Sequence, residues 1–173
     1  MQYSVGVEYS LHCLVYLIDI PPDSSIGIKE LSTFQGVSET YLSKMFGKLS
    51  KAGIVRSVPG IKGGYRLAKD PVDITFFDVV EAIEGSKPIF QCKNIKEKGY
   101  FYRNQEQHNT DTKYDDCTSC HSFCSINNVM LEAEEKMREY LRSKTLFWLN
   151  EELDLVLPKK LREETRLFFR KIK

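Results

Sequence analysis

Apolar positions recur along this chain with two different periods, and the changes of period mark its elements. Over residues 3–19, Val7, Leu11, Leu14, Val15 and Ile18 fall at spacings of three and four. Tyr9, Cys13, Tyr16 and Leu17 form a second apolar face, and the stretch is predicted to be a helix. Pro21-Pro22-Asp23-Ser24-Ser25 breaks it. A short helix over about 28–35 turns Ile28, Leu31 and Phe34 inward and ends at Gly36. Ser38 has the chemistry of an N-cap for a helix over 38–52, with the stripe Leu42, Met45, Phe46, Leu49 and Ala52 and a stop at Gly53.

The pattern then shortens. Ile54-Val55-Arg56-Ser57-Val58 is rich in β-branched residues, and Tyr65-Arg66-Leu67-Ala68 is predicted to pair with it across Pro59-Gly60-Ile61-Lys62-Gly63-Gly64. Helical spacing returns over about 75–84 through Phe76, Val79, Val80 and Ile83, and stops at Gly85. Residues 93–116 are polar and turn-rich. A long helix is predicted over 125–142, its stripe being Ile126, Val129, Met130, Ala133, Met137, Tyr140 and Leu141. An amphipathic piece over 146–156 precedes Pro158. The tail beyond has two readings, an amphipathic helix through Leu161, Leu167, Phe168 and Ile172 or a frayed end.

Two short helices, a tight turn and a β-hairpin predict a winged helix-turn-helix, so the fold class is mainly α with a small two-stranded β wing and a long dimerisation helix. The chain divides accordingly: 1–85, the DNA-binding domain; 86–124, a cysteine-bearing sensor loop; 125–157, the dimerisation helix and its successor; and 158–173, a basic tail.

Charge changes the picture only when it is read locally. The chain has 173 residues, with 25 Lys and Arg against 24 Asp and Glu, and a net charge of +1 that taken as a total argues against nucleic acid as a partner. Residues 29–69, however, carry eight bases against two acids, residues 70–85 carry five acids and no base, and the tail carries seven bases against two acids. A basic block on a neutral chain suits a positioned phosphate-binding surface. No apolar run approaches the roughly 18 residues of a membrane span, so the expected compartment is the cytoplasm.

The stripe of the 38–52 helix leaves Ser38, Thr40, Tyr41, Ser43, Lys44 and Lys48 outward, mostly near its start. The early residues of a helix in the major groove reach base edges. Hydroxyl groups permit close approach, Tyr41 suits a phosphate or a thymine methyl, and Lys44 and Lys48 suit phosphate or guanine. At the hairpin, Arg56, Lys62, Gly63 and Gly64 are expected to lie along the DNA backbone or minor groove. No Ser/His/Asp or Cys/His set supports catalysis, since His12, His108 and His121 fall in a helix, a loop and a cysteine cluster. The reading is a non-enzyme with no small-molecule substrate evident.

Of five cysteines, Cys13 sits on an apolar helix face and reads as a buried hydrophobe. Cys92, Cys117, Cys120 and Cys124 gather between the winged domain and the long helix. In a reducing compartment such a group points to metal binding or redox chemistry. An iron–sulfur cluster, a zinc site and a thiol–disulfide switch all remain open on these residues. Cys117-Thr-Ser-Cys120-His121 also spells a haem-attachment motif, a chance match in a chain without an export signal.

The chain resembles the Rrf-two family of bacterial winged-helix transcription regulators, which includes the iron–sulfur cluster regulator, the nitric-oxide-sensing repressor and the cysteine-metabolism repressor. The resemblance is carried by Tyr3 to Tyr9, Ile28-Lys29-Glu30-Leu31, Gln35-Gly36-Val37-Ser38, Tyr41-Leu42, Leu49 to Val55, Gly60 to Leu67, Asp78 to Gly85 and Thr145-Leu146. It implies a homodimer whose long helices cross, recognition helices about one DNA turn apart, roughly 34 Å, and a dyad-symmetric double-stranded DNA site. It also implies a redox-sensing repressor with an iron–sulfur cluster, of 2Fe-2S type, held by Cys92, Cys124 and either Cys117 or Cys120, with a fourth ligand that is not a cysteine in the family. Asn127 stands where one member has His, so the spare cysteine is read as completing a four-thiolate set, ahead of His121 and Asp116. Two departures stand out. Pro59 occupies a position where the family often has Arg, so either Lys62 takes over minor-groove readout or that readout is weak. The 24-residue gap between Cys92 and Cys117 exceeds the family's spacing, although loop closure costs rise slowly with length.

Overall fold

The structure, a computed structural model, describes residues 3–21, 24–60, 63–93, 95 and 124–171. Its elements in order are α1 (Val5–Tyr16), α2 (Ile28–Gln35), α3 (Glu39–Lys51), β1 (Val55–Val58) and β2 (Gly64–Leu67). A 3-10 turn at Pro71–Asp73 leads to α4 (Phe76–Glu84), and then come α5 (Ser125–Arg142), α6 (Leu146–Val156) and α7 (Lys159–Lys171). Among the described residues no helix is long and apolar enough to cross a membrane.

The chain forms two units. One comprises residues 1–87 and 138–173, the other residues 88–137, so the division falls inside α5.

In the first unit the core is built where the apolar stripes meet. Leu14 of α1, Leu31 of α2, Leu42, Phe46 and Leu49 of α3, Val79 of α4 and Leu146 of α6 are fully buried. Gly36 ends α2 with φ 66, a left-handed conformation that favours glycine, and lets α3 start at once in a new direction. The sheet is antiparallel, with Val55 opposite Leu67, Arg56 opposite Arg66, Ser57 opposite Tyr65 and Val58 opposite Gly64.

The starts of α4 and α6 lie side by side. Phe76 N donates to Lys144 O at 2.8 Å and Leu146 N to Ile74 O at 2.9 Å. Thr75 caps α4 in a reciprocal capping box with Asp78, and Thr145 caps α6 by accepting from Trp148 N. The Phe77 ring faces the guanidinium groups of Arg142 at 4.4 Å and Arg138 at 5.6 Å, which fixes the last turns of α5 on α4.

Four details differ from the sequence expectations. First, α1 spans Val5–Tyr16 and not 3–19: Ser4 is extended, and the chain turns after Tyr16 while Leu17 stays buried, so apolar spacing outlasts the helix. Second, Ser38 occupies the cap position of α3 without a side-chain capping bond. Third, Ala52 is exposed beyond the end of α3. Fourth, the tail is helical, but Leu161 and Leu167 are each 48% exposed, while Arg162 and Phe169 are buried.

In the second unit the buried residues of α5 are Asn127 and Glu134, seven apart and so on one face. Glu134 Oε2 accepts from Ile89 N at 2.9 Å, fastening the segment that leads to Cys92 onto the helix. The apolar positions point the other way: Ile126 is 70% and Val129 63% exposed.

Candidate functional site

The N-terminal half of α3 presents Ser38, Glu39, Thr40, Ser43 and Lys44 to solvent. Opposite them Leu42, Met45, Phe46 and Leu49 anchor the helix in the core. Because no side chain caps α3, its first-turn N–H groups and the local positive end of the helix dipole face outward with those side chains.

Tyr41 is half-buried at the side of this surface. Its ring meets Tyr9 of α1 edge-on at 6.1 Å, so α1 helps to hold it. Gly6 explains how α1 comes so close. A Cβ there would lie 2.7 Å from Met45 Sδ and 3.0 Å from the Tyr41 hydroxyl, so a larger residue would force those side chains to shift.

Lys48 is exposed, as the helical spacing predicts, and its ammonium donates to Ile83 O at 2.5 Å, at the C-terminal turn of α4.

On the wing, Arg56 is exposed and stands directly across from Arg66. Opposed residues of an antiparallel pair share one sheet face, so two cations lie together where like charges are unfavourable. Gly63 and Gly64 have a packing reason. A Cβ on Gly63 would run into the Val58 and Gly60 carbonyls, and one on Gly64 into the Ile26 backbone, which pairs with Tyr65 on either side. Lys62 lies outside the described residues.

Glu39 and Arg66 stand beside the expected residues and were not among those singled out from sequence. Glu39 reads there only as a first-turn acid, yet it sits exposed among the polar groups of α3, where a carboxylate suits a cytosine amino group. Arg66 is marked only by its alternation with Tyr65 and Leu67, and its pairing with Arg56 needs the strand register.

Cys13 is fully buried, and desolvation pushes its thiol up to about 12, so it has the character of a core residue. Cys92 and Cys124 are half-buried and belong to the same unit. Cys124 directly precedes α5, and its carbonyl accepts from Asn128 N at 2.9 Å, which places it at the helix N-terminus where peptide dipoles favour negative charge. Cys117 and Cys120 lie outside the described residues. Among the described residues no three His, Cys, Asp or Glu side chains gather as a metal site. The two placed thiols fit a thiolate-ligated group in donor type.

Residues 3–152 match the family model described as Rrf2, iron-dependent transcriptional regulator. The chain belongs to the Rrf2 family. A Bacillus subtilis protein named as a candidate HTH-type transcriptional regulator, YwgB, is 30% identical over 146 residues, covering 84% of this chain and 82% of that one. The HTH-type transcriptional regulator NsrR of Halalkalibacterium halodurans is 34% identical over 94 residues, covering 54% of this chain and 63% of its own. In fold the chain is similar to IscR of T. potens (TM-score 0.62, 23% identity, covering 92% of this chain and 93% of that one). It is also similar to CymR, the global cysteine regulator of B. subtilis (TM-score 0.59, 21% identity, covering 87% and 97%). The chain is therefore a winged-helix transcriptional regulator that binds DNA, and its relatives are regulators and not enzymes.

Proposed function

We propose that this regulator is a homodimeric repressor, working in the cytoplasm, whose affinity for a dyad-symmetric DNA site is set by a cysteine-ligated iron–sulfur cluster. The observation that carries the DNA-reading surface is the exposed polar start of α3, uncapped and ringed by Ser38, Thr40, Ser43 and Lys44. In a major groove those groups meet base edges, Tyr41 flanks them, and Arg56 with Arg66 serves the neighbouring phosphates. The exposed Ile126, Val129 and Met130 on α5 favour a second copy of the chain as the cover of that face.

For the sensor, the proposed ligands are Cys92 and Cys124, both half-buried, with Cys117 and Cys120 completing a four-thiolate set. Asn127 stands three residues after Cys124 and is buried, so it offers no imidazole ligand there. The chemistry a cluster supplies is a tie that oxygen, nitric oxide or iron loss undoes. What the chain contributes is the anchor points: one at the foot of α5, and one beyond the Ile89–Glu134 bond. Loss of the tie changes DNA affinity only by as much as the two forms bind DNA differently.

Two measurements test this. Duplexes enriched by the full-length protein from a random pool should show dyad symmetry, and Lys44→Ala should weaken binding with a shallower salt dependence. Binding unchanged by both Lys44→Ala and Tyr41→Ala would remove α3 as the reading helix. Protein purified without oxygen should be coloured and contain iron and sulfide. A colourless protein with stoichiometric zinc supports the zinc site, and one with neither metal but a reversible disulfide supports the thiol switch. A dimer that enriches no DNA would be an adaptor.

A further inference from the structure

Lys44 and Lys48 stand one turn apart on α3, and both count as basic groups on one helix face. Their surroundings differ. Both are exposed, but the Lys48 ammonium donates to the Ile83 carbonyl in the last turn of α4. That carbonyl is one of the final four of its helix, which no later N–H of the same helix satisfies. A cation from another element meets that need and also sits at the negative end of the α4 dipole.

The same turn receives a second fastening. Glu84 Oε1 accepts from Ser4 N at 2.8 Å and from Ser4 Oγ at 2.6 Å, which ties the segment before α1 to the end of α4. Gly85, with φ 81, then turns the chain away toward the residues that carry Cys92. The last turn of α4 is thus where α3 and the segment before α1 are both fastened.

We propose that Lys48 is a positioning residue and not a phosphate contact: through the Ile83 carbonyl it sets how α3 stands against α4, and with it the sequence selectivity of DNA reading. This rests on the DNA-binding reading given above. Swinging Lys48 out to a phosphate would strip its partner from Ile83 and remove that polar tie between α3 and α4. Lys44, nearer the helix start, has no such bond to give up.

Salt dependence separates the two roles, because each phosphate contact adds about 0.9 to the slope of log affinity against log salt. The experiment measures the full-length dimer on a duplex it has selected from a random pool and on a scrambled duplex of the same length, at several salt concentrations. Lys44→Ala should lower the slope on both duplexes by about 0.9 per protomer. Lys48→Met should leave both slopes and the scrambled-duplex affinity unchanged, while affinity for the selected duplex falls about tenfold, the scale of one mismatched base pair. Lys48→Arg, which keeps a donor of similar reach, should restore most of that loss. A slope lowered by Lys48→Met as much as by Lys44→Ala would overturn the proposal, as would an unchanged affinity for the selected duplex. Should Lys48→Met fail to fold by circular dichroism, Lys48→Gln decides: an unchanged slope supports positioning, and a shallower one overturns it. A wild-type protein that selects no duplex would overturn the DNA reading itself, a result visible before any Lys48 variant is measured.

Discussion

Phe169 stacks on Tyr16 with ring centroids 5.0 Å apart and 27° between the planes, so the last helix of the chain closes over the first. Phe34 of α2 meets the same ring at 4.9 Å, and Phe168 packs beside it. This closure lies beyond the residues that the family model matches, yet it bears directly on the first helix of the helix-turn-helix.

Phe169→Ala should therefore cost about 3–5 kcal/mol in urea unfolding, as emptying a buried aromatic site does. Leu161→Ala and Leu167→Ala, at half-exposed positions of the same helix, should each cost under about 1 kcal/mol. A reversed order would mean that α7 docks by its leucine face.

The base of α7 is held by charge. Arg162, 5% exposed, donates Nε to Asp154 Oδ1 at 2.7 Å, and Arg166 Nε donates to Asp19 Oδ2 at 3.0 Å. The Arg162 hydrogen bond, with help from Arg166, holds the Asp154 carboxyl below its ordinary range. A depressed carboxylate stabilises the fold above its unfolded pKa of about 3.9, and the gain disappears as pH falls through the lower folded value. The difference in Tm between wild type and Asp154→Asn should hold from neutral pH down to about 4 and close below it. A difference that persists in strong acid would assign it to packing.

Two glycines should respond in opposite directions. Gly6→Ala should destabilise by about 1–3 kcal/mol, because the new methyl would press on Met45 and Tyr41, and it should weaken DNA binding by shifting α3. Gly47, inside α3 with open space at its Cβ position, should gain about 0.5–1 kcal/mol on replacement by Ala. Thermal unfolding of both variants checks the pair.

Thiol reactivity should sort the cysteines. At about pH 8, Cys13, with its thiol near 12, should resist iodoacetamide while the fold holds, and Cys92 and Cys124 should be modified first in the metal-free protein. Peptide mass mapping over time reads the order. Early modification of Cys13 would mean that the core around α1 opens readily.

Much of the fold was legible because helical and strand periods are local. The ranges 28–35, 125–142 and 146–156 coincide with α2, α5 and α6. The outward set at the start of α3 was also legible, since four buried stripe residues leave the others outside. What failed at the ends of α1 was the assumption that apolar spacing stops where a helix stops, for Leu17 remains buried in the turn that follows.

Polar side chains were the least legible, because periodicity tells which face a residue occupies and nothing of what stands opposite it. On α5 Ile126, Val129 and Met130 of the expected apolar stripe are outward, Met137 and Leu141 are half-buried, and Asn127 and Glu134 are the buried pair. On α7, Arg162 is buried because Asp154 and Asn150 receive it, and Arg166 reaches Asp19, which is 147 residues away in sequence.

The sequence by itself determined the order of elements, the winged helix-turn-helix and the outward face of α3, since each follows from the spacing of apolar residues over one or two turns. Only the tertiary structure decided that Lys48 turns to Ile83, that Gly64 makes room for the Ile26 backbone and that the basic tail seals the aromatic cluster of α1 and α2. Those outcomes depend on hydrogen-bond partners and steric neighbours that come together only when distant segments pack.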